Sequence, residues 1–256
     1  MDLKPHRSTY WLNPKAKRDD PVRHAAQEKE ICDLYAQAPT LHEQGVHVAS
    51  ADEKTGIQAL ERAAPTLPMR PGQVERREYE YIRHGTQCLI ASFAVATGTI
   101  IGSTIGATRN EKDFVEHIRQ VIASALDERW IFILDGLNTH FSESLVRLVA
   151  GLEARDGPTL ELGVKGKDGI LKNVESRRAY LSNPDHRVRF VYTPKHCSWL
   201  NQIEIWFSIL SRRALKRASF RSVDELKTAL SDFIVYFNRV LAKPFRWTYS
   251  GRPLTT

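Results

Sequence analysis

At 256 residues and 42% hydrophobic composition, the chain has apolar material for one substantial core without disulfides or a structural metal. Its three cysteines, Cys32, Cys88 and Cys197, are too scattered for a disulfide framework or a CxxC zinc site. No apolar run approaches the roughly 20 residues of a membrane span, and the start, Met1-Asp2-Leu3-Lys4-Pro5-His6-Arg7, is no signal region, so a cytoplasmic globular protein with reduced thiols is expected. The formal net charge of +7 is uneven: residues 161–256 carry 18 Lys and Arg against 8 Asp and Glu, whereas residues 1–160 carry 19 against 22, a distribution suited to a polyanionic partner.

Residues 1–25, with prolines at 5, 14 and 21 among Lys, Arg and His, predict an extended basic arm that includes Lys4, His6, Arg7, Lys15, Lys17, Arg18 and Arg23. A short helix over 26–38, with Ile31, Leu34 and Tyr35 at helical spacing, is expected to stop at Pro39. Val46 to Ala51 predicts a buried strand ending at Asp52. A Pro-rich passage leads to two strands, about 86–96 and 99–105, joined by Thr97-Gly98.

An amphipathic helix over 110–127 carries Phe114, Ile118, Val121, Ile122 and Leu126 behind Asn110 as N-cap, and is followed by the apolar strand Trp130 to Leu134. A helix over 142–152, a Gly-rich loop over 163–169 and a short strand from Val188 to Tyr192 come next. A helix carrying Glu204 and a terminal helix over 222–241 complete the order. Strands and helices in this succession predict an α/β protein: a mixed sheet flanked by helices, of ribonuclease H-like type. The division expected is an arm and short helix over 1–40, a catalytic domain over 41–220 and a C-terminal helix and tail over 221–256.

Three acidic residues stand out. Asp52 and Asp135 are placed at strand ends, and Glu204 lies on a helix whose apolar stripe (Trp199, Leu200, Ile203, Trp206, Phe207, Leu210) would dock on the sheet, leaving Asn201 and Glu204 facing the strand ends. A strand-end aspartate alone is commonly a turn-former. Hard oxygen ligands from three distant places are, together, what a pair of Mg²⁺ ions needs for phosphodiester chemistry.

The phrases Asp52-Glu53-Lys54-Thr55-Gly56-Ile57-Gln58-Ala59-Leu60-Glu61-Arg62, Leu134-Asp135-Gly136-Leu137-Asn138-Thr139-His140, and Tyr192-Thr193-Pro194-Lys195-His196-Cys197-Ser198-Trp199-Leu200-Asn201-Gln202-Ile203-Glu204-Ile205-Trp206-Phe207 resemble the catalytic blocks of DDE transposases from bacterial insertion sequences, of the IS six-thirty family in the mariner superfamily. The resemblance extends over almost the whole chain. It implies that Asp52, Asp135 and Glu204 are the catalytic, metal-binding triad, with two Mg²⁺ or Mn²⁺ ions, and that Asn138, His140 and Asn201 support it. Hydrolysis at the ends of a transposable element would be followed by attack of a 3′-hydroxyl on target DNA. Double-stranded DNA is the implied partner, with a homodimer on it.

Three departures from the family are expected to matter, one being an interval from Asp135 to Glu204 longer than in mariner relatives outside bacteria. Gly136 replaces a larger polar residue and could loosen the turn that aims Asp135. Relatives carry helix-turn-helix modules ahead of the segment Leu3 to Ser8, so a catalytic domain without the end-reading part is expected.

Basic contacts to the DNA backbone are assigned to Lys165, Lys167, Lys195, His196, Arg212, Arg213, Lys216 and Arg217. Trp199, Trp206 and Trp247 are assigned to the core. Adjacent His196 and Cys197 do not suit a thiol mechanism, and no Walker-type loop implies a nucleotide cofactor. The alternatives are an inactive DNA-binding remnant of a transposase, or a ribonuclease H-like nuclease that never joins strands.

Overall fold

The computed structural model describes residues 19–154 and 160–249. Three strands, β1 (Val46–Arg62), β2 (Tyr81–Ala94) and β3 (Thr99–Gly106), form an antiparallel meander; β4 (Arg129–Leu134) and β5 (Val188–Tyr192) extend it in parallel to β1. The five-stranded sheet has the order β3-β2-β1-β4-β5. β4 and β5 are apolar almost throughout because parallel strands are covered on both faces. The β2–β3 turn needs Gly98, which has φ +74° and lies so close to the Lys243 carbonyl that an added Cβ would meet it at 2.0 Å.

One face of the sheet is covered by α2 (Glu111–Ala123), α3 (Glu143–Glu153) and α4 (Val174–Leu181), packing Phe114, Ile118, Leu145 and Val149 on Phe132 and Phe190. Asn110 caps α2 through a reciprocal capping box with Asp113. On the opposite face α5 (Ile203–Leu210) and α6 (Val223–Tyr236) bury Trp206, Leu226 and Leu230 against Leu89 and Phe93. α1 (Pro21–Glu43) covers the rest of that face, with Ile31, Leu34 and Tyr35 against Val48, Ile133 and Val191.

Several local expectations change. Residues 1–18 of the expected arm lie outside the described residues, as do 250–256 of the tail; from Pro21 the chain is already helical, with Asp20 as N-cap and proline in the first turn, where its missing N–H costs nothing. α1 also runs through Pro39 to Glu43. Proline there forfeits a hydrogen bond to the carbonyl of Tyr35, and burial of Ala38 and its neighbours outweighs that loss. β1 continues ten residues past Asp52 to Arg62, because Gly56, at φ +69°, and a register shift between Lys54 and Ile57 absorb the apparent turn as a bulge. α4 was not expected because its only fully buried residue is Leu181; its signal was Asn173 capping Ser176. The expected helix beginning at Trp199 is instead a 3₁₀ turn, Ser198–Leu200, a break at Asn201 and then α5.

Candidate active site

Asp52 and Asp135 are brought together by strand register. The parallel pairing of β1 with β4 ends at Ser50 opposite Ile133, and each aspartate lies two residues further along its own strand line. The sheet alternation therefore turns the Asp52 carboxylate toward the face shared by α1 and α5, and Asp135 meets it from just past the end of β4. Contrary to the expectation from sequence, Asp52 is not a strand end; the pairing of β1 with β4 stops two residues before it, which opens the cleft. Gly136 does not loosen the turn. The Asp135 carboxylate is held by the Leu137 amide at 3.0 Å and by His140 Nδ1 at 2.9 Å.

Glu204 stands in the first turn of α5, half-buried, with Lys54 and Asp135 as the charges it feels. Asn201 does not look out over the strand ends as expected. It is fully buried, donating to the Ala51 carbonyl at 2.9 Å and to Asp52 Oδ2 at 3.3 Å, and its oxygen accepts from the Ser50 hydroxyl. Ser50 in turn accepts from the Ile203 amide at 3.0 Å, so one polar chain fixes the start of α5 to the strand that carries Asp52.

His140 is buried against Phe114 and bridges two carboxylates, with Nδ1 to Asp135 and Nε2 to Glu53 Oε1 at 3.3 Å. Burial alone would lower its pKa, but its hydrogen bonds to and the charges of Asp135 and Glu53 raise it to about 10, so it is a cation at neutral pH. Burial would raise Asp135, yet the His140 contact and the Leu137 amide bring it below the ordinary carboxylate range. Asp52 moves the other way: burial first, then the negative charge of Asp135, push it up to about 7, and the amide of Glu53 offsets them only partly. Glu204 is raised by burial and by Asp135, against the pull of Lys54. Glu53, bonded to His140, is a residue at this site that sequence patterns did not single out. Its signal was its position: next to Asp52 it points to the other face of β1, where a buried carboxylate requires a partner.

An all-oxygen set of carboxylates suits a hard divalent cation, and the repulsion that lifts Asp52 is what a cation relieves. The ligand atoms of the three carboxylates do not all lie within 4.8 Å of one another. Asn138, expected to support the site, is exposed and opens the 3₁₀ turn that carries His140.

Lys195 and His196 are exposed and line, with Asp135, Arg23 and Arg178, a groove of about 960 Å³. Arg178 is held over the rings of Phe141 and Tyr192 at 5.7 and 5.2 Å. Arg212, Arg213, Lys216 and Arg217 are exposed on the continuation of α5, and Arg212 and Lys216 share a second hollow with Lys54. Lys165 and Lys167 stand apart on the loop after α3, where Lys165 is 3.9 Å from Glu143. Trp206 is fully buried as expected, but Trp199 is half-exposed and stands edge-on to Tyr249.

The sequence profile of a family described as DDE superfamily endonuclease matches residues 47–227. No curated protein matches the chain. Among solved structures, the Mos1 mariner paired end complex with Mn superposes at a TM-score of 0.54 with 13% identity, covering 92% of this chain and 60% of that one. A pre-cleavage Mos1 transpososome gives 0.53 at 13% identity, covering 91% and 60%. The Mos1 transposase paired-end complex with left transposon end gives 0.50 at 13%, covering 91% and 59%. The chain thus spans about 60% of the length of these structures, and at such identity the likeness is one of fold: the ribonuclease H-like sheet with its flanking helices.

Proposed function

The chain belongs to the DDE superfamily of endonucleases, and from that premise we propose that it is a transposase catalytic unit that cuts DNA at transposon ends and joins the freed 3′ end to target DNA. Asp52, Asp135 and Glu204 are its catalytic and metal-binding residues. The observation that carries this reading is the register that sets Asp52 and Asp135 side by side with Asp52 pushed up to about 7 by burial and its neighbour's charge. The Mos1 paired end complex was solved with Mn, which supports a divalent ion in this chain too. Two Mg²⁺ or Mn²⁺ ions held by Asp52, Asp135 and Glu204 would supply activation of the attacking oxygen and stabilisation of the leaving one.

The chain's own residues divide the remaining work. His140, held by Glu53, orients Asp135; Asn201 orients Asp52 and ties it to the helix of Glu204. Lys195, His196, Arg23 and Arg178 line the groove at Asp135 and suit a phosphate backbone entering the site. Arg212, Arg213, Lys216 and Arg217 suit duplex DNA on the other side of Glu204, and Lys165 and Lys167 a more distant segment. The working unit is a homodimer on two DNA ends, in keeping with the paired-end assembly of the Mos1 structures. The catalytic domain of this proposal spans 41–220, with an arm and helix before it and the terminal helix and tail after it. A cytoplasmic site of action accords with this reading; no helix of the described residues is long and apolar enough to cross a membrane.

The deciding experiment supplies a labelled, pre-cut DNA duplex and a plasmid target in Mn²⁺. Covalent joining of label to plasmid, lost in Asp52→Asn, is the expected result. Cleavage without joining would reduce the protein to a nuclease, and neither activity would leave a DNA-binding remnant.

A further inference from the structure

Apart from the catalytic carboxylates, a second group of ligand-type side chains is buried at the seam between α1 and the loop after β5. His24 and Glu28 lie one turn apart on α1, and Cys197 comes from the loop that carries Lys195 and His196; one candidate ligand atom from each lies within 4.8 Å of the other two. All three residues are buried, His24 at 3% and Glu28 at 2% exposure. We propose that His24, Glu28 and Cys197 bind a Zn²⁺ ion that staples α1 to the catalytic loop.

Three observations carry this assignment. First, the donors are one imidazole, one carboxylate and one thiol, the set that selects zinc over magnesium and differs in kind from the all-oxygen triad. Second, His24 Nε2 and Cys197 Sγ are 3.6 Å apart. Zn–N and Zn–S bonds of about 2.0 and 2.3 Å at a tetrahedral angle put neighbouring N and S atoms about 3.5 Å apart.

Third, the buried Glu28 carboxylate is poorly partnered: among the described residues its contacts are 3.5 Å to His24 Nδ1 and 3.4 Å to the Tyr249 hydroxyl. A buried carboxylate that poorly partnered is costly unless a cation sits beside it. A hollow of about 230 Å³ reaches His24 from the surface, and the fourth tetrahedral position is left to water.

Sequence patterns could not have revealed this group. His24 and Cys197 are 173 residues apart, and nothing in cysteine spacing points to either. Its consequence is positional. A staple at His24 and Cys197 would hold Arg23 and Lys195, both groove-lining, at fixed separation beside Asp135.

The test uses the whole chain carrying Asp52→Asn and Asp135→Asn, which weakens the oxygen site, stripped of metal by a chelator and titrated with Co²⁺. One equivalent should give tetrahedral ligand-field bands and a thiolate-to-cobalt charge-transfer band, both erased by Zn²⁺. Cys197→Ser should abolish the charge-transfer band, whereas Cys88→Ser should keep it. His24→Gln should weaken binding at least tenfold, an independent check should the cysteine variant fold poorly. Zn²⁺ at a hundredfold excess over its Kd should raise the thermal midpoint by about 5–10 °C, and not in either site variant. A spectrum with octahedral bands alone, or a charge-transfer band that survives in Cys197→Ser, would overturn the assignment and leave a plain cysteine–histidine hydrogen bond.

Discussion

Asp52, within β1, and Asp135, one residue past the end of the parallel strand β4, each lie two residues beyond the last paired residues, Ser50 and Ile133. Strand pairing thus brings the two residues together, the Leu137 amide and His140 hold the Asp135 carboxylate, and the two charges repel at a place where α5 brings a third, Glu204.

Replacing any one of these by its amide should abolish metal-dependent cleavage, taking the rate to background, while DNA binding and the circular dichroism spectrum stay as they were. For Asp52→Asn the metal-free thermal midpoint should hold or rise, because the amide removes a buried negative charge beside Asp135. Cleavage near wild-type level in Mg²⁺ or Mn²⁺ would remove that residue from the triad.

His140→Ala and Glu53→Gln should each weaken the Mn²⁺ dependence of cleavage by about 10- to 100-fold, the usual cost of losing a group that orients a metal ligand. His140 touches Asp135 directly, and Glu53 acts through His140. A Mn²⁺ titration of the cleavage rate reads the effect; an unchanged half-saturating concentration in both variants would make the pair purely structural.

Simultaneous Arg212→Ala, Arg213→Ala, Lys216→Ala and Arg217→Ala should flatten the dependence of log affinity on log salt for duplex DNA. The slope falls by about one for each phosphate that is no longer neutralised. These four side chains are exposed along one continuation of α5. Fluorescence anisotropy over a range of salt concentrations measures the slope, and an identical slope in the quadruple variant would show that the cluster is only a solvated face.

His117 supplies a pH effect away from the catalytic residues. It is buried between the Ser92 and Thr104 hydroxyls, at 2.8 and 3.1 Å, and burial lowers its pKa from 6.5 to about 4. The unfolded chain thus binds a proton that the folded one refuses between those two values. Its stability contribution is intact above pH 6.5 and is lost as pH falls toward 4, by about 3 kcal/mol in all. Urea midpoints at pH 4.5 and pH 7.5 should differ less in His117→Gln than in the parent; an equal difference would assign the acid sensitivity to other groups.

Much of the molecule was legible in the chain. The apolar strands at 130–134 and 188–192, the capped helix behind Asn110, the Thr97-Gly98 turn and the mixed-sheet order are local patterns, and local patterns need no knowledge of partners. The acidic residues could be picked out for the same reason, since the phrases around Asp52, Asp135 and Glu204 are contiguous.

What lay beyond the sequence depended on contacts between distant segments. That β1 passes straight through Asp52 follows from its long pairing with β2, which a Thr-Gly pair could not interrupt. Asn201 turns inward because Ser50, Ala51 and Asp52, about 150 residues away, offer it three polar partners in a place where an unpaired amide would be costly. His140 becomes a buried cation only because Glu53 reaches it from β1 and Asp135 from just past β4. Composition and periodicity thus determined which elements form and which residues are acidic, apolar or basic, since those depend on neighbours in the chain. Strand register and burial decided which side chains meet and in what charge state, because the energies that govern those choices exist only once the sheet is assembled.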